Sequence, residues 1–178
     1  MISGYYGFAN AGDEAMLTAI IESLRQVEKN VELTVLSGNP EDTAAKHQVC
    51  SVYRFNPLGI IRAMKDSELI ISGGGSLLQD VTSKRSLLYY LSIIGLGKFF
   101  GKKVMLFAQG IGPIRAKWAR KLTSLVCNEA DLITVRDSES AAELIEMGVK
   151  PEKITVTADS VLSLNPVTKE CGQYLLQE

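Results

Sequence analysis

Leu69-Ile70-Ile71-Ser72-Gly73-Gly74-Gly75-Ser76 reads as a short buried strand running straight into a triple-glycine turn. Its apolar residues are consecutive rather than alternating, as expected where helices cover both faces of a parallel sheet. The same pattern recurs on either side. Further strands are expected over residues 1–5, 31–36, 48–52, 103–108, 132–135 and 154–156, besides 69–71. Helical periodicity fills the gaps at 13–27, 58–64, 84–99, 117–129 and 138–147. In the first of these, Ala15, Met16, Ala19, Ile20, Ser23 and Leu24 fall at three-and-four spacing and put one stripe on the sheet. Asp137 and Ser138 offer caps for the last, which stops near Gly148 with Pro151 beyond. Strand alternating with helix from end to end predicts an α/β fold, a Rossmann-like doubly wound parallel sheet.

Composition narrows the function. The chain has 178 residues, 46% of them apolar and 22% charged. A domain of this size buries roughly 70% of the surface of its unfolded chain, so it needs no disulfide or metal to hold it together. Nineteen basic residues against twenty acidic ones leave no field for a polyanion, so a nucleic-acid partner is not expected. Cys50, Cys127 and Cys171 are widely spaced and His47 stands alone, which disfavours a zinc site and suits a reducing cytosol. A cytoplasmic location is expected, since no signal peptide pattern opens the chain. Residues 87–100 are almost wholly apolar but too short to cross a bilayer. They read as a helix buried against the sheet, or as a surface lying on lipid at the inner membrane face. Both ends look cut: the first strand is short, and residues 165–178 are polar with little to pack on, so the chain reads as half a protein.

In open parallel sheets, ligands bind beyond the carboxyl ends of the strands, where helix N-termini point their unpaired N–H groups. Four glycine-marked turns fall at such ends: Gly4 to Glu14, Ser72 to Ser76, Gln109 to Pro113, and Ser37-Gly38-Asn39. Their clustering is the functional signal. The first turn lacks the G-x-G-x-x-G spacing, and Ser37 stands where a dinucleotide site needs an acid. No P-loop and no G-x-S-x-G elbow occurs, and His47 lies in a separate segment.

The polar groups beside these turns are the candidates. Asp13 and Glu14 open a helix, where negative charge offsets the macrodipole, or else they bind or deprotonate a hydroxyl. Asn10 fixes either its own turn or a sugar hydroxyl. Gln79, Asp80 and Thr82 follow Gly73, Gly74 and Gly75 and read as a solvated loop or as groups at the mouth of the sheet. Gln109 and Gly110 mark the next strand end. Arg136 ends another strand, where it either holds a phosphate or carboxylate through two hydrogen bonds or pairs with Asp137 or Asp159.

The segments Gly4-Tyr5-Tyr6-Gly7-Phe8-Ala9-Asn10-Ala11-Gly12-Asp13-Glu14-Ala15, Ser72-Gly73-Gly74-Gly75-Ser76-Leu77-Leu78-Gln79-Asp80, Ala108-Gln109-Gly110-Ile111-Gly112-Pro113 and Thr134-Val135-Arg136-Asp137-Ser138-Glu139-Ser140 resemble the polysaccharide pyruvyltransferase family, in its bacterial cell-wall branch. The resemblance implies transfer of pyruvate from phosphoenolpyruvate to the 4- and 6-hydroxyls of N-acetylmannosamine in a lipid-linked secondary cell-wall polymer precursor. It implies no metal and no cofactor, phosphoenolpyruvate being the donor substrate. It further implies two facing domains, as in B-type glycosyltransferases. Residues 1–165 would then be the N-terminal, acceptor-side domain and 166–178 the interdomain segment. The C-terminal domain, supplying a histidine and basic groups for the donor, would be absent and the fragment inactive alone. Within that scheme Asp13, Glu14 and Asp80 orient or deprotonate hydroxyls, Asn10, Gln79 and Thr82 hold the sugar with the glycine backbone, and Arg136 steadies an anion. A nucleotide-sugar glycosyltransferase and a non-catalytic glycan-binding module remain as alternatives.

Overall fold

The computed structural model describes residues 1–81 and 83–164, so Thr82 and the expected segment 166–178 lie outside the described residues. Seven strands form one sheet: β1 (Ile2–Tyr6), β2 (Thr34–Ser37), β3 (Cys50–Tyr53), β4 (Leu69–Gly73), β5 (Lys103–Gln109), β6 (Leu132–Val135) and β7 (Ile154–Val156). Six helices connect them: α1 (Ala11–Val27), α2 (Pro40–His47), α3 (Pro57–Asp66), α4 (Lys84–Phe99), α5 (Lys117–Glu129) and α6 (Ser138–Glu146). All pairings are parallel and the order is β3-β2-β1-β4-β5-β6-β7. The chain winds outward from β1 to β3, returns to the other side of β1, and winds outward again to β7. The direction reverses between β1 and β4, where such sheets open a ligand crevice.

Consecutive strand residues point to opposite faces, and the core divides accordingly. Val35 and Ile71 join Ile2, Leu17 and Ile20 in one cluster under α1. Their neighbours Leu36 and Ile70 join a larger cluster with Met64 of α3, Leu87 and Ile94 of α4, Cys127 of α5 and Leu144 of α6. The apolar run 87–100 is thus mostly helix packed on the sheet, with Leu87, Leu91 and Ile94 buried while Leu88, Leu96 and Phe99 face outward. No described helix is long and apolar enough to cross a membrane.

One helix lies where no apolar stripe announces it. In α2 only Thr43 is buried, so periodicity is silent, and the element is instead written in its ends. Asn39 Oδ1 accepts from Asp42 N, Pro40 opens the helix, Glu41 and Asp42 fill its first turn, and Lys46 and His47 its last.

Candidate active site

The four glycine-marked turns stand together at the carboxyl end of the sheet, and two of them wall a cleft of about 400 Å³ at the β1/β4 reversal. One wall is Tyr5 with Asn10 and Asp13 at the start of α1. The other comes from Ser76, Leu77 and Gln79 after β4, and from Ser83, Ser86 and Tyr90. The last three follow the helical repeat of α4, so one face of that helix looks into the cleft.

The start of α1 separates its two acids by function. Asn10 Oδ1 caps the helix by accepting from Gly12 N (3.0 Å) and Asp13 N (3.3 Å), while its amide nitrogen has no partner among the described residues. Asp13 projects into the cleft and its carboxylate accepts no hydrogen bond among the described residues; burial, reinforced by the neighbouring charge of Glu14, pushes its pKa up. Glu14, one residue on and therefore about a quarter turn around the helix, points elsewhere. Its Oε1 accepts from Gly7 N (2.8 Å) and its Oε2 lies 3.6 Å from His47 Nε2, so it ties the first turn to α2 and does not line the cleft.

Asp80 also sits outside the cleft. Its carboxylate accepts from the backbone N–H groups of Arg115 (3.0 Å to each oxygen) and Ala116 (2.9 Å), which hold its pKa below the usual carboxylate value. The loops after β4 and β5 are further joined by Gly112 N donating to Leu78 O (2.8 Å) and Gly110 N to Gly75 O (3.1 Å). Asp80 therefore fixes two loops to one another.

The triple glycine serves packing as much as access. Gly74 and Gly75 have φ of +76° and +68°, a region that favours glycine. A Cβ on Gly73 would stand 2.7 Å from Ile20 Cδ1, and one on Gly75 3.2 Å from Asp13 Oδ1. These residues let the loop press against the first turns of α1. Gly73 O also accepts from the buried Tyr6 hydroxyl (2.6 Å).

Gln109 and Arg136 stand behind the cleft wall. Gln109 is fully buried, with Oε1 accepting from Ser72 Oγ (3.4 Å) and Nε2 unpartnered among the described residues. Arg136 donates from Nε to Asp137 (3.1 Å), faces Asp159 (3.8 Å) and reaches Ser76 Oγ (3.3 Å) across Gly110, where a Cβ would stand 2.7 Å from its guanidinium carbon. Both expected acid pairings of Arg136 are present, and its link to the cleft runs through Ser76. No group of metal-ligating side chains occurs among the described residues.

Of the expected site residues, Asn10, Asp13 and Gln79 are brought together, with Gly75 against Asp13. Glu14, Asp80, Gln109, Gly110 and Arg136 buttress them. The structure adds Tyr5, Ser76, Leu77, Ser83, Ser86 and Tyr90. Ser83 and Ser86 stand three apart at a correctly placed helix start, which was the readable signal for them.

The model of the family described as polysaccharide pyruvyl transferase matches residues 10–170. No curated protein matches the sequence. Among solved structures the chain is similar to HepE from Anabaena in complex with UDP-glucose, at 12% identity and a TM-score of 0.60, covering 89% of this chain and 43% of HepE. It is also similar to MnaA from S. aureus in complex with UDP, at 14% identity and a TM-score of 0.51, covering 98% of this chain and 51% of that one. The chain thus spans about half the length, or less, of both proteins.

Proposed function

Since the chain belongs to the polysaccharide pyruvyl transferase family, we propose that its cleft binds the sugar acceptor of a ketal pyruvyl transfer and that Asp13 handles the acceptor's hydroxyl proton. The observation that carries this reading is Asp13 itself, a carboxyl with a raised pKa that accepts no hydrogen bond among the described residues, in a cleft lined besides by amides, hydroxyls and Leu77. Asn10 and Gln79 beside it suit the donors and acceptors of a sugar. A carboxylate whose pKa is raised takes a hydroxyl proton more readily than an ordinary aspartate does.

In the proposed reaction the methylene carbon of phosphoenolpyruvate gains a proton and its second carbon becomes oxocarbenium-like. Two sugar hydroxyls add to that carbon and the bond to phosphate oxygen breaks. The two hydroxyl protons balance the one gained by the methyl group and the one carried off by phosphate. We assign removal of a hydroxyl proton to Asp13 and orientation of the sugar to Asn10 and Gln79. The acceptor in this proposal is N-acetylmannosamine, reacting at its 4- and 6-hydroxyls, in a lipid-linked secondary cell-wall polymer precursor met at the cytoplasmic membrane face. Donor-binding cations and the general acid come from a second lobe facing this one. The partial coverage of HepE and MnaA supports that division.

Ketal formation from phosphoenolpyruvate and a disaccharide-diphospholipid acceptor tests the reading. Turnover is expected with the second lobe present and at most a trace with residues 1–178 alone. Robust turnover by residues 1–178 alone contradicts the two-lobe part. A second reading, glycosyl transfer from a nucleotide sugar, is favoured by the UDP-glucose bound to HepE. Calorimetric titration with UDP-glucose against phosphoenolpyruvate separates the two.

A further inference from the structure

Arg54, just past β3, is 4% exposed, yet no carboxylate pairs with it among the described residues. Its Nη1 donates to Gly4 O (3.3 Å), its Nη2 donates to the Tyr90 hydroxyl (3.2 Å), and its Nε is unpartnered among the described residues. Around it stand the rings of Tyr5, Phe8, Phe55, Tyr89 and Tyr90, with centres 4.5 to 5.7 Å from the guanidinium carbon. Aromatic faces attract a cation but do not neutralise it. A buried charge left without a counter-ion is costly, and the cost is offset where an anion comes near. Two of the five rings, Tyr5 and Tyr90, are cleft wall.

The Arg54 contact also fixes the sense of the Tyr90 hydrogen bond. Arginine only donates, so the Tyr90 oxygen accepts and its own proton has no acceptor among the described residues. On the same helix face, Ser83 occupies the N-cap of α4 without making a side-chain cap. The first turn of α4 carries Lys84 and Arg85 and no acid, the reverse of what the macrodipole favours in isolation. Two features on the α4 side, a buried unneutralised cation whose contact leaves the Tyr90 phenol with a proton to give, and an uncapped cationic helix start, call for negative charge.

We propose that the α4 side of the cleft is a phosphoryl-binding subsite, in which the first turn of α4, Ser83, Ser86 and the Tyr90 hydroxyl hold phosphate oxygens while Arg54 supplies the charge from behind the wall. The subsite stands on this geometry alone. Its assignment to the diphosphate of the lipid-linked acceptor, rather than to the phosphate of phosphoenolpyruvate, rests on the function proposed above. That arrangement sets the acceptor's phosphates on α4 and its sugar toward Asp13.

Titration of residues 1–178, followed by amide chemical shifts, tests the subsite without any transfer assay. Inorganic pyrophosphate, phosphoenolpyruvate and free N-acetylmannosamine are the probes. Pyrophosphate is expected to shift the amides of Lys84 to Leu87 and to bind about tenfold more weakly to Tyr90→Phe, which keeps the ring but lacks the hydroxyl. Arg54→Met is expected to weaken pyrophosphate at least as much while leaving N-acetylmannosamine unaffected. Should Arg54→Met fail to fold, Tyr90→Phe decides alone. Pyrophosphate binding that is absent, or equal in Tyr90→Phe and the parent, overturns the subsite. Tighter binding of phosphoenolpyruvate than of pyrophosphate overturns the assignment to the acceptor; tighter pyrophosphate supports it.

Discussion

Asp13 and Gly75 face each other at the reversal point of the sheet, so closely that a Cβ on Gly75 would stand 3.2 Å from Asp13 Oδ1. The contact joins the two ends of the argument, since the glycine that lets β4 turn also makes room for the carboxyl in the cleft. At Gly75 an added methyl group meets both a positive φ of +68° and the Asp13 oxygen. Gly75→Ala is expected to lower stability by about 1–2 kcal/mol, the cost of placing a side chain in the left-handed region, as read by urea unfolding. Its transfer rate should fall further than the lost folded fraction explains.

Gly95 supplies the opposite case on the cleft's other helix. It lies inside α4, and a Cβ there meets nothing within 4 Å. Gly95→Ala should therefore raise stability by about 0.5–1 kcal/mol through reduced freedom of the unfolded chain and leave ligand binding unchanged. A loss of stability at Gly95→Ala would show that α4 is not a plain helix at that point.

Asp13 has a further signature in stability. Its pKa is raised in the folded state, so the folded chain holds that proton to higher pH than the unfolded chain does. The associated stability is complete below the ordinary aspartate value and is lost as pH rises through the raised one. Asp13→Asn is expected to be more stable than the parent at pH 7 and to lose that advantage near pH 3. Denaturation midpoints across that range measure the difference. A variant less stable than the parent at pH 7 would show that Asp13 is held by contacts after all.

Asp80 and Asp137 predict the opposite pH dependence. The backbone N–H groups of Ala116 and Arg115 lower the pKa of Asp80, and the side chain and backbone N–H of Ser140 lower that of Asp137. Their contribution is present above the ordinary aspartate value, near 4, and is lost as pH falls through the depressed values. Asp80→Asn should cost about 1 kcal/mol at pH 7, the difference between hydrogen bonds to a charged and to a neutral acceptor, and almost nothing near pH 2, measured by urea unfolding at both pH values.

How far these features could be read from residues alone depended on where their causes lie. β6 and β7, α4 and α5 were legible to the residue, because short β-branched and apolar runs and long helix-forming segments are local properties. α2 was less so, since its evidence is capping chemistry without an apolar face. Asp13 and Asn10 could be picked out by their place in a glycine-rich turn. What separates Asp13 from Glu14 is a quarter turn of helix and the nearness of His47 from α2, and what withdraws Asp80 from the cleft is the backbone of Arg115 and Ala116. Such partnerships across the fold leave no mark in a linear pattern. Arg54 shows the same limit, because its aromatic surroundings come from β1 and the loop after it, the turn after β3, and α4 together.

The rate of pyruvate-ketal formation, measured with the second lobe present in the parent, Asp13→Asn and Asp80→Asn, tests the account most directly. Asp13→Asn is expected to lower kcat by about 10²-fold or more while remaining folded, in keeping with loss of a proton-transfer group. Asp80→Asn should stay within about fivefold of the parent, a change equivalent to the roughly 1 kcal/mol at stake in its loop contacts. An Asp13→Asn variant that turns over at the parent rate would contradict the assignment of this cleft and its carboxyl to the acceptor.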